Sequence, residues 1–274
     1  MAGGIAALGA AGPVWWTQNR SPRFRMSRSK IPWPQTHRTL RIAHLTDLHV
    51  GLSTPLRDLE SAIECVRQEA PDLVVLTGDY VNYGLQHLET LQALLRRLPR
   101  PALATLGNHD HWSGAQAIQE ALESAGIEVL VNTTRRIHLE NQARIEVIGI
   151  DDGRTDHDDV KRACDAARQP DEALVLSHFP PLADRIAELG GRIILSGHTH
   201  GGQVHLPGIT PWVAERSGHA YLSGWYDVGD EARLYVNAGL GHSRAGLRIG
   251  APAYPEIAFL ELEPCPMESG RSEV

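Results

Sequence analysis

Histidine, aspartate and asparagine residues recur in this sequence directly after short apolar segments. The last of these clusters is Gly197-His198-Thr199-His200, which follows the apolar segment 192–195. Side chains two positions apart in an extended backbone can point the same way, so His198 and His200 can converge on one point if a metal ion lies there. A lone pair of loop histidines is more often an ordinary surface feature, so the interpretation depends on the rest of the chain.

Four earlier clusters have the same character, and each follows a predicted buried strand. Together the five clusters offer candidate metal ligands at Asp47, His49, Asp79, Asn108, His109, Asp110, His178, His198 and His200. Ligand-binding residues in an α/β sheet gather at the carboxyl ends of the strands, so clusters far apart in the sequence can form one site. Any single cluster is weak evidence. Five strand ends that offer only Asp, Asn and His predict a shared metal site.

The chemistry of this ligand set is specific. Carboxylate, amide and imidazole groups without a thiolate suit borderline-hard divalent ions such as Mn, Fe, Zn or Co, rather than Cu(I) or an iron–sulfur cluster. We therefore expect two divalent metal ions as cofactors. Two cations at close range repel each other, so one aspartate must bridge them.

Short apolar strands and amphipathic helices alternate from residue 39 and would position these clusters. The strands that precede the clusters are predicted at 40–45, 73–76, 102–106, 173–176 and 192–195. Helices are predicted at 55–70, 85–98, 113–125, 158–168 and 181–189. Further strands are predicted at 128–131, 136–139, 144–150, 221–228, 232–236 and 257–262. The alternation predicts an α/β fold in one large domain, residues 39–264.

The ends of the chain differ from this domain. Residues 1–16 are Gly/Ala-rich and uncharged, and the next segment is rich in Arg, which fits neither a secretory signal nor a full membrane span. Three interpretations of residues 1–38 stay open: a disordered leader, the remnant of a longer anchor, or a marginal membrane segment with a basic flank. The Pro-rich segment 31–34 predicts an extended linker into the domain, and residues 265–274 predict a frayed tail.

Composition narrows the classes of partner. The formal net charge of −7 argues against a nucleic-acid backbone as the main electrostatic partner, which usually meets a basic surface. A small anionic substrate is compatible with the negative net charge, because bound metals supply positive charge locally. The three cysteines, Cys65, Cys164 and Cys265, are far apart and predict no disulfide framework. Cys65 is predicted to be a small buried residue on a helix.

The five clusters, taken in order, resemble the five motifs of the calcineurin-like metallophosphoesterase superfamily. The matching segments are Asp47-x-His49, Gly78-Asp79, Gly107-Asn108-His109-Asp110, His178 and Gly197-His198-Thr199-His200. The later segments Gly201-Gly202-Gln203-Val204, Gly239-Leu240-Gly241 and Pro255-Glu256-Ile257 are similar to a bacterial membrane-associated branch called YkuE-like or YaeI-like. Two residues depart from the pattern, Thr46 where Ser is more usual and Phe179 where Asn is common, and neither change removes a ligand.

The resemblance implies a metallo-dependent phosphatase-like fold, a four-layer αββα sandwich of two mixed sheets flanked by helices. It also implies that a metal-activated water directly attacks a phosphodiester or pyrophosphate bond. The implied ligands of one metal are Asp47, His49 and His200, those of the other are Asn108, His178 and His198, and Asp79 bridges. His109 would face the substrate as general acid or phosphate-oxygen stabiliser, with Asp110 orienting it.

Other functions stay open beside this one. Within enzymes, the alternatives are a nuclease, which the acidic charge disfavours, and a phosphomonoesterase. From another class, the chain could be a non-catalytic metal-binding regulatory module. The leader suggests a small or lipid-linked phosphoester substrate, such as a nucleotide-sugar lipid, and a bacterial protein at the inner membrane or in the cytoplasm. The remaining histidines are predicted to be structural or exposed, with His205 and His242 as exceptions near the site.

Overall fold

The chain folds into two stacked β-sheets with helices on both outer faces. The computed structural model describes residues 23–34, 36–139, 143–216, 220–243 and 248–264. Its strands are β1 (Arg25–Trp33), β2 (Leu40–Leu45), β3 (Leu73–Thr77), β4 (Ala102–Thr105), β5 (Glu128–Val129), β6 (Thr133–His138), β7 (Arg144–Ile150), β8 (Leu174–Ser177), β9 (Ile193–Ser196), β10 (Gly224–Val228), β11 (Ala232–Val236) and β12 (Glu256–Pro264). Its helices are α1 (Leu56–Glu69), α2 (Leu88–Leu95), α3 (Asn108–Ser113), α4 (Ala115–Ser124), α5 (Val160–Asp165), α6 (Ala183–Glu188) and α7 (Ile209–Arg216).

Both sheets are mixed and contain six strands each. The order of the first sheet is β1-β12-β2-β3-β4-β5, and that of the second is β10-β11-β9-β8-β7-β6. In the first sheet only the pair β12–β2 is antiparallel. In the second sheet the antiparallel pairs are β10–β11 and β6–β7, and the central strands β7, β8, β9 and β11 are parallel.

The alternation of apolar side chains along β2 explains the layers. Leu40 and Ile42 pack between the two sheets, whereas Ala43 and Leu45 pack on the opposite side against α1, α2 and α4. A third apolar cluster lies between the second sheet and helices α5 and α6. Each fully buried Leu or Ile side chain contributes about 1.5–3 kcal/mol. The predicted four-layer αββα sandwich is therefore confirmed.

The predicted boundary of the domain at residue 39 was wrong. Residues 25–33, expected to belong to a leader and linker, form β1, which pairs in parallel with β12. Ile31 and Trp33 are each only 2% exposed and belong to the core between the sheets. Pro32 is unusual in a strand, and for this reason the sequence did not indicate one here. An edge strand tolerates proline because it forms backbone hydrogen bonds with a neighbouring strand on one side only.

The structure departs from the predicted helices in three places. The helix expected at 113–125 is α4, and a helix that was not predicted, α3, precedes it, with Gly114 at a φ of 132° between the two. Helix α2 starts later than predicted, and Leu85, expected in the core, is 38% exposed. Helix α7 was not predicted. Cys65 is only partly buried, whereas it was expected to be buried.

The described part of the chain contains no helix that is both long enough and apolar enough to cross a membrane. The membrane-associated interpretations concern residues 1–16, which lie outside the described residues, as do Cys265 and His219.

Candidate metal centre

All seven predicted ligands follow the carboxyl ends of five strands. They follow β2 (Asp47 and His49), β3 (Asp79), β4 (Asn108), β8 (His178) and β9 (His198 and His200). Three of these strands belong to the first sheet and two to the second, so the site lies where the same edge of both sheets meets. Six of the seven residues are buried, and His198 is partly exposed.

The ligand atoms form overlapping groups in which all atoms lie within 4.8 Å of one another. The groups are Asp47, His49 and His200; Asp79, His178 and His198; and His49, Asp79 and His109. The first two correspond to the two predicted metal positions, apart from Asn108. The third shows that His109, expected to face the substrate, lies next to the same cluster.

Asp79 is at the centre of the cluster. Its Oδ2 atom lies 3.3 Å from His178 Nε2 and 3.6 Å from His49 Nε2, so one oxygen faces residues of both groups. Its Oδ1 atom accepts the backbone N–H of His109 at 2.9 Å. Asp79 Oδ2 therefore has the position that a bridging ligand requires.

Several buried atoms of the candidate ligands have no hydrogen-bond partner among the described residues. They include Asp47 Oδ1, Asn108 Oδ1 and His178 Nε2. The other oxygen of Asp47, Oδ2, accepts hydrogen bonds from Thr46 Oγ1 at 2.8 Å and from the backbone N–H of His198 at 3.0 Å. Leaving a buried polar atom unpaired costs about 1–3 kcal/mol, and a cation would satisfy all three. The donor set thus fits divalent metal ions.

The contacts of His178 orient its ring towards the cluster. Its Nδ1 atom donates to the carbonyl oxygen of Thr77 at 2.7 Å, so Nε2 is the nitrogen that faces Asp79. Metal-binding histidines usually donate the hydrogen of their other nitrogen to a carbonyl or carboxylate in this way.

The carboxylates of the cluster are held in the ionised form. Burial alone would raise the pKa of the Asp47 carboxyl, but His200 and His49 hold that pKa well below its usual range. Burial opposes ionisation of Asp79 as well, yet His178 and His49 lower its pKa. The site therefore presents negative charge to an incoming cation.

The backbone of the cluster is strained. Nine non-glycine residues in the described ranges have positive φ, and five of them are candidate ligands. These five are Asp47 (51°), His49 (43°), Asp79 (57°), His198 (72°) and His200 (53°). A left-handed conformation at a non-glycine residue costs on the order of 1–3 kcal/mol and is concentrated at functional sites. Left-handed turns at the strand ends therefore aim these side chains at one point.

Two close approaches of the backbone require glycine. A Cβ atom on Gly78 would lie 2.6 Å from the backbone nitrogen of Gly107, so the loops after β3 and β4 can touch only without it. A Cβ atom on Gly197 would overlap Thr46 Oγ1 and Asp47 Oδ2. These glycines bring the strand-end loops together.

Asp110 does not have the contacts predicted for it. It was expected to orient His109, but its carboxylate accepts backbone N–H groups of Asp79 at 2.8 Å, Tyr80 at 2.9 Å and Gly107 at 2.9 Å. The Nδ1 atom of His109 instead donates to the carbonyl oxygen of Asn82 at 2.5 Å. Both residues belong to α3, where consecutive side chains point in different directions. Burial and the neighbouring Asp79 raise the pKa of Asp110 to about 7.

A cleft of about 570 Å³ opens onto the metal cluster. Tyr83 and Trp112 lie on either side of His109, with ring centroids 4.9 Å and 5.1 Å from its ring. The opposite wall includes Val204 and residues of α7, and Arg154 is the cationic residue that lines the cleft. This wall was not predicted, because the Gly/Pro-rich sequence before α7 concealed the helix.

The other histidines in the described part of the chain do not line this cleft. His205 and His242, predicted as exceptions near the site, lie outside it, and His242 borders a separate pocket beside Arg23 and Arg248. His44 is buried, as expected, with Nε2 lying 2.8 Å from Thr77 Oγ1. Arg248, which no sequence signal marked, contacts His200.

Comparisons with known proteins agree with this geometry. The model of the calcineurin-like phosphoesterase family matches residues 40–202. The metallophosphoesterase YkuE of Bacillus subtilis strain 168 is 32% identical over 228 residues, which cover 81% of this chain and 79% of that protein. The phosphodiesterase YaeI of Escherichia coli strain K12 is also 32% identical over 228 residues, 81% of this chain and 82% of that protein.

The fold has a counterpart among solved structures. The crystal structure of a 5'-nucleotidase precursor from Thermus thermophilus superimposes with a TM-score of 0.51 at 17% identity, over 83% of this chain and 55% of that longer chain. This likeness concerns the fold alone. The family match, the two relatives and the cluster of Asp and His ligands lead to one conclusion: the chain belongs to the calcineurin-like phosphoesterase family.

Proposed function

We propose that the protein hydrolyses a phosphodiester or pyrophosphate bond at a centre of two divalent metal ions. One observation carries the proposal: the buried atoms Asp47 Oδ1, Asn108 Oδ1 and His178 Nε2 have no hydrogen-bond partner in a cluster that the family uses for metals. Each of these atoms would cost about 1–3 kcal/mol if it stayed unpaired. Unpaired buried atoms of this kind are expected in a fold where a bound ligand pairs them.

Each metal would be held by three residues and the shared Asp79. Asp47, His49 and His200 would hold one ion, and Asn108, His178 and His198 the other. When bound, the two ions would stabilise charge on the phosphoryl group and supply a nucleophilic water at neutral pH. The nitrogen and oxygen donors suit Mn, Fe, Zn or Co.

His109 would act on the substrate. Its Nδ1–H is committed to the Asn82 carbonyl, so the proton that the ring can give to a leaving oxygen is the one on Nε2. Burial lowers the pKa of His109, which makes the protonated ring a stronger acid. Asp79 Oδ1 accepts the backbone N–H of His109 and so ties the proposed acid to the proposed bridge.

The substrate would have an apolar part, which supports the hypothesis of a lipid-linked or nucleotide-sugar-lipid phosphoester. Around the cleft, Trp112 is 57% exposed, Ile209 59% and Val213 48%. Exposed apolar residues that border a cleft mark a binding surface. An apolar rim would also let the enzyme reach a phosphoester at a membrane surface, in line with the membrane-associated interpretation.

Hydrolysis of bis-p-nitrophenyl phosphate after addition of Mn tests the hydrolase proposal. We compare the wild type with Asp79→Asn, His109→Ala and a control, His138→Ala, whose exposed side chain lies at the end of β6. Hydrolysis by the wild type and the control, its loss in Asp79→Asn and a smaller decrease in His109→Ala would support the proposal, since p-nitrophenolate leaves with little protonation. Equal rates in all four proteins would refute it.

A second comparison tests the substrate class. We expect Val213→Ser to slow hydrolysis of a nucleotide-lipid pyrophosphate at least tenfold while leaving hydrolysis of bis-p-nitrophenyl phosphate unchanged. The apolar wall would then matter only when the substrate carries an acyl chain. Equal effects on both substrates, or a preference for soluble phosphomonoesters or nucleic acid, would refute the lipid-linked substrate while leaving the hydrolase proposal intact.

A further inference from the structure

Arg154 differs from the other residues that line the metal cleft because its side chain is a permanent cation. The rest of the lining consists of proposed ligands, aromatic and apolar side chains and neutral polar groups, and Arg154 is its only lysine or arginine among the described residues. Its side chain is exposed and makes no hydrogen bond or ion pair with another described residue. A guanidinium carries several N–H donors in one rigid plane, a geometry that suits phosphate. Arg154 therefore offers an unpaired charge and its hydrogen-bond donors to a ligand in the cleft.

The two carboxylates that precede Arg154 in the chain are engaged elsewhere. Asp152 Oδ2 accepts the backbone N–H of Thr155 at 2.9 Å and the hydroxyl of the same residue at 2.8 Å. Asp151 Oδ1 lies 2.8 Å from His111 Nε2 and accepts the backbone N–H of Asp152 at 2.9 Å. Neither carboxylate therefore neutralises Arg154.

The backbone that carries Arg154 is held in place by its surroundings. Arg154 belongs to a short 3-10 helix, Gly153–Thr155, which follows β7 and is capped by the side chain of Asp152. A Cβ atom on Gly153 would lie 2.8 Å from Leu182 Cδ1, so this turn packs closely against that side chain. The main chain at Arg154 is thus fixed although its side chain is exposed.

The same turn is joined to the helix that carries the proposed acid. His111 belongs to α3, which begins at Asn108 and includes His109. The contact of His111 with Asp151 therefore connects α3 to the turn before Arg154. Because a group that is positioned before binding costs less to order when a ligand arrives, this connection favours a binding role for Arg154.

The charge of the substrate indicates what Arg154 would bind. The bound metals would offset the charge on the phosphoryl group that is attacked. A phosphodiester has one ionised phosphoryl group, whereas a pyrophosphate diester has two. The second group carries a charge of its own, and an arginine binds such a group through charge-assisted and often bidentate hydrogen bonds. An unpaired cation in the cleft thus favours the pyrophosphate among the two bond types of the proposed function.

We propose that Arg154 is a specificity-determining residue that binds the second phosphoryl group of a pyrophosphate diester while the first lies at the metal centre. The inference deepens the proposed function and rests on it, because it names the substrate class of the same site. A substrate with one phosphoryl group leaves Arg154 without a partner. The protein accordingly binds a pyrophosphate diester more tightly than a phosphodiester that carries the same organic groups.

A matched pair of probes tests this role. The probes are diphenyl phosphate and symmetrical diphenyl pyrophosphate, which carries one phenyl group on each phosphorus. The full-length protein loaded with Mn is compared with Arg154→Gln and with a control, Arg162→Gln. The control makes the same change of charge at an exposed residue of α5 that does not line the cleft. Calorimetry gives the Kd of each probe, and inhibition of bis-p-nitrophenyl phosphate hydrolysis gives the Ki of each.

Loss of a hydrogen bond to a charged group weakens binding about tenfold or more. We expect Arg154→Gln to weaken binding of diphenyl pyrophosphate about tenfold more than binding of diphenyl phosphate, whereas Arg162→Gln should affect both probes equally. Arg154→Lys keeps the charge and should bind diphenyl pyrophosphate more tightly than Arg154→Gln does. Equal effects of Arg154→Gln on the two probes, or an Arg154→Lys variant that binds no better than Arg154→Gln, would overturn the inference.

The same data separate this inference from the proposed function. A wild-type protein that does not hydrolyse bis-p-nitrophenyl phosphate would refute the proposed function, and calorimetry would still decide whether Arg154 favours the pyrophosphate. A wild-type protein that hydrolyses this substrate, together with an Arg154→Gln variant that loses the same affinity for both probes, would refute only the role of Arg154.

Discussion

The carboxylate of Asp110 holds the backbone of Asp79: its Oδ2 atom accepts the Asp79 N–H at 2.8 Å. The same oxygen accepts the N–H of Gly107 at 2.9 Å, and Oδ1 accepts that of Tyr80 at 2.9 Å. One buried side chain therefore joins the loop after β3 to the loop after β4. Since Asp79 lies at the centre of the ligand cluster, Asp110 determines where the proposed bridge stands.

Replacement of this carboxylate should damage the centre without touching a ligand. In Asp110→Asn the amide can turn only one oxygen towards three N–H groups, so buried donors are left unpaired at a cost of about 1–3 kcal/mol. We expect lower thermal stability and a 10–100-fold weaker affinity for Mn. Chelator competition and thermal unfolding measure both effects. Unchanged Mn affinity in a destabilised protein would show that Asp110 supports only the fold.

His109 and the metal ligands should respond differently to substitution. His109→Gln is expected to lower kcat by about 10²–10⁴-fold, because it removes the proposed acid, while two Mn ions stay bound. The loss should be larger for a substrate with an alkoxide leaving group than for one that releases p-nitrophenolate, which needs little protonation. A ring nitrogen of His109 lies within 4.8 Å of ligand atoms of His49 and Asp79, so loss of one Mn in this variant would identify His109 as a ligand instead.

A partly buried histidine outside the candidate ligand set makes the free energy of unfolding depend on pH. His111 Nε2 lies 2.8 Å from Asp151 Oδ1, and their side chains are 9% and 6% exposed. Burial alone would lower the pKa of His111, but the hydrogen bond and charge of Asp151 outweigh it and raise the pKa above 6.5. The His111–Asp151 interaction therefore stabilises the folded state. Its contribution to the free energy of unfolding is fully present below pH 6.5 and is lost as pH rises through the pKa of His111 in the folded protein.

Asp151→Asn should abolish that dependence. We expect the variant to be about 1–3 kcal/mol less stable than the wild type below pH 6.5, with the gap narrowing at higher pH. Chemical denaturation of the metal-free proteins across this range gives the difference directly. If the difference in free energy of unfolding between the two proteins is constant with pH, or increases as pH rises, the proposed role of the His111–Asp151 pair is contradicted.

The edge strand β1 should be needed for stability. A chain that starts at Arg23 keeps β1, whereas one that starts at Thr36 loses Ile31 and Trp33 from the core and exposes the edge of β12. Loss of these two side chains alone should cost about 3–6 kcal/mol. Thermal unfolding and light scattering compare the two chains. If both unfold at the same temperature without aggregation, β1 is not part of the stable domain.

The sequence allowed the candidate ligands to be grouped because each one follows a strand of obvious apolar character. Asp47, Asp79 and Asn108 indicate a site only when they are considered together. They can be combined because the carboxyl ends of parallel strands meet at one edge of a sheet. The alternation of strands and helices predicted an α/β fold, and the resemblance to the metallophosphoesterase superfamily implied the αββα sandwich.

The parts that escaped prediction depend on contacts between distant segments. Arg248 follows a glycine-rich segment and could not be paired with His200 from the sequence. Asp110 was predicted to orient its neighbour His109. The helix that begins at Asn108 instead directs the side chain of Asp110 towards the loop after β3. Strand β1 carries Met26, Arg28, Lys30 and Pro32 on its exposed face, so only its contacts with β12 reveal it. Helix α7 contains Pro211 in its first turn, where a helix tolerates proline. In the sequence alone, a proline at this place suggests a loop.

The central claim is that seven strand-end residues hold two metal ions bridged by Asp79. Metal analysis of the protein after equilibration with Mn and removal of free metal tests it most directly, with Asp79→Asn measured alongside. We predict two Mn ions per wild-type chain and a loss of bound Mn in Asp79→Asn, whose amide cannot offset the charge of two cations. A wild-type chain without bound Mn, or an Asp79→Asn variant that retains both ions with wild-type affinity, would contradict the account.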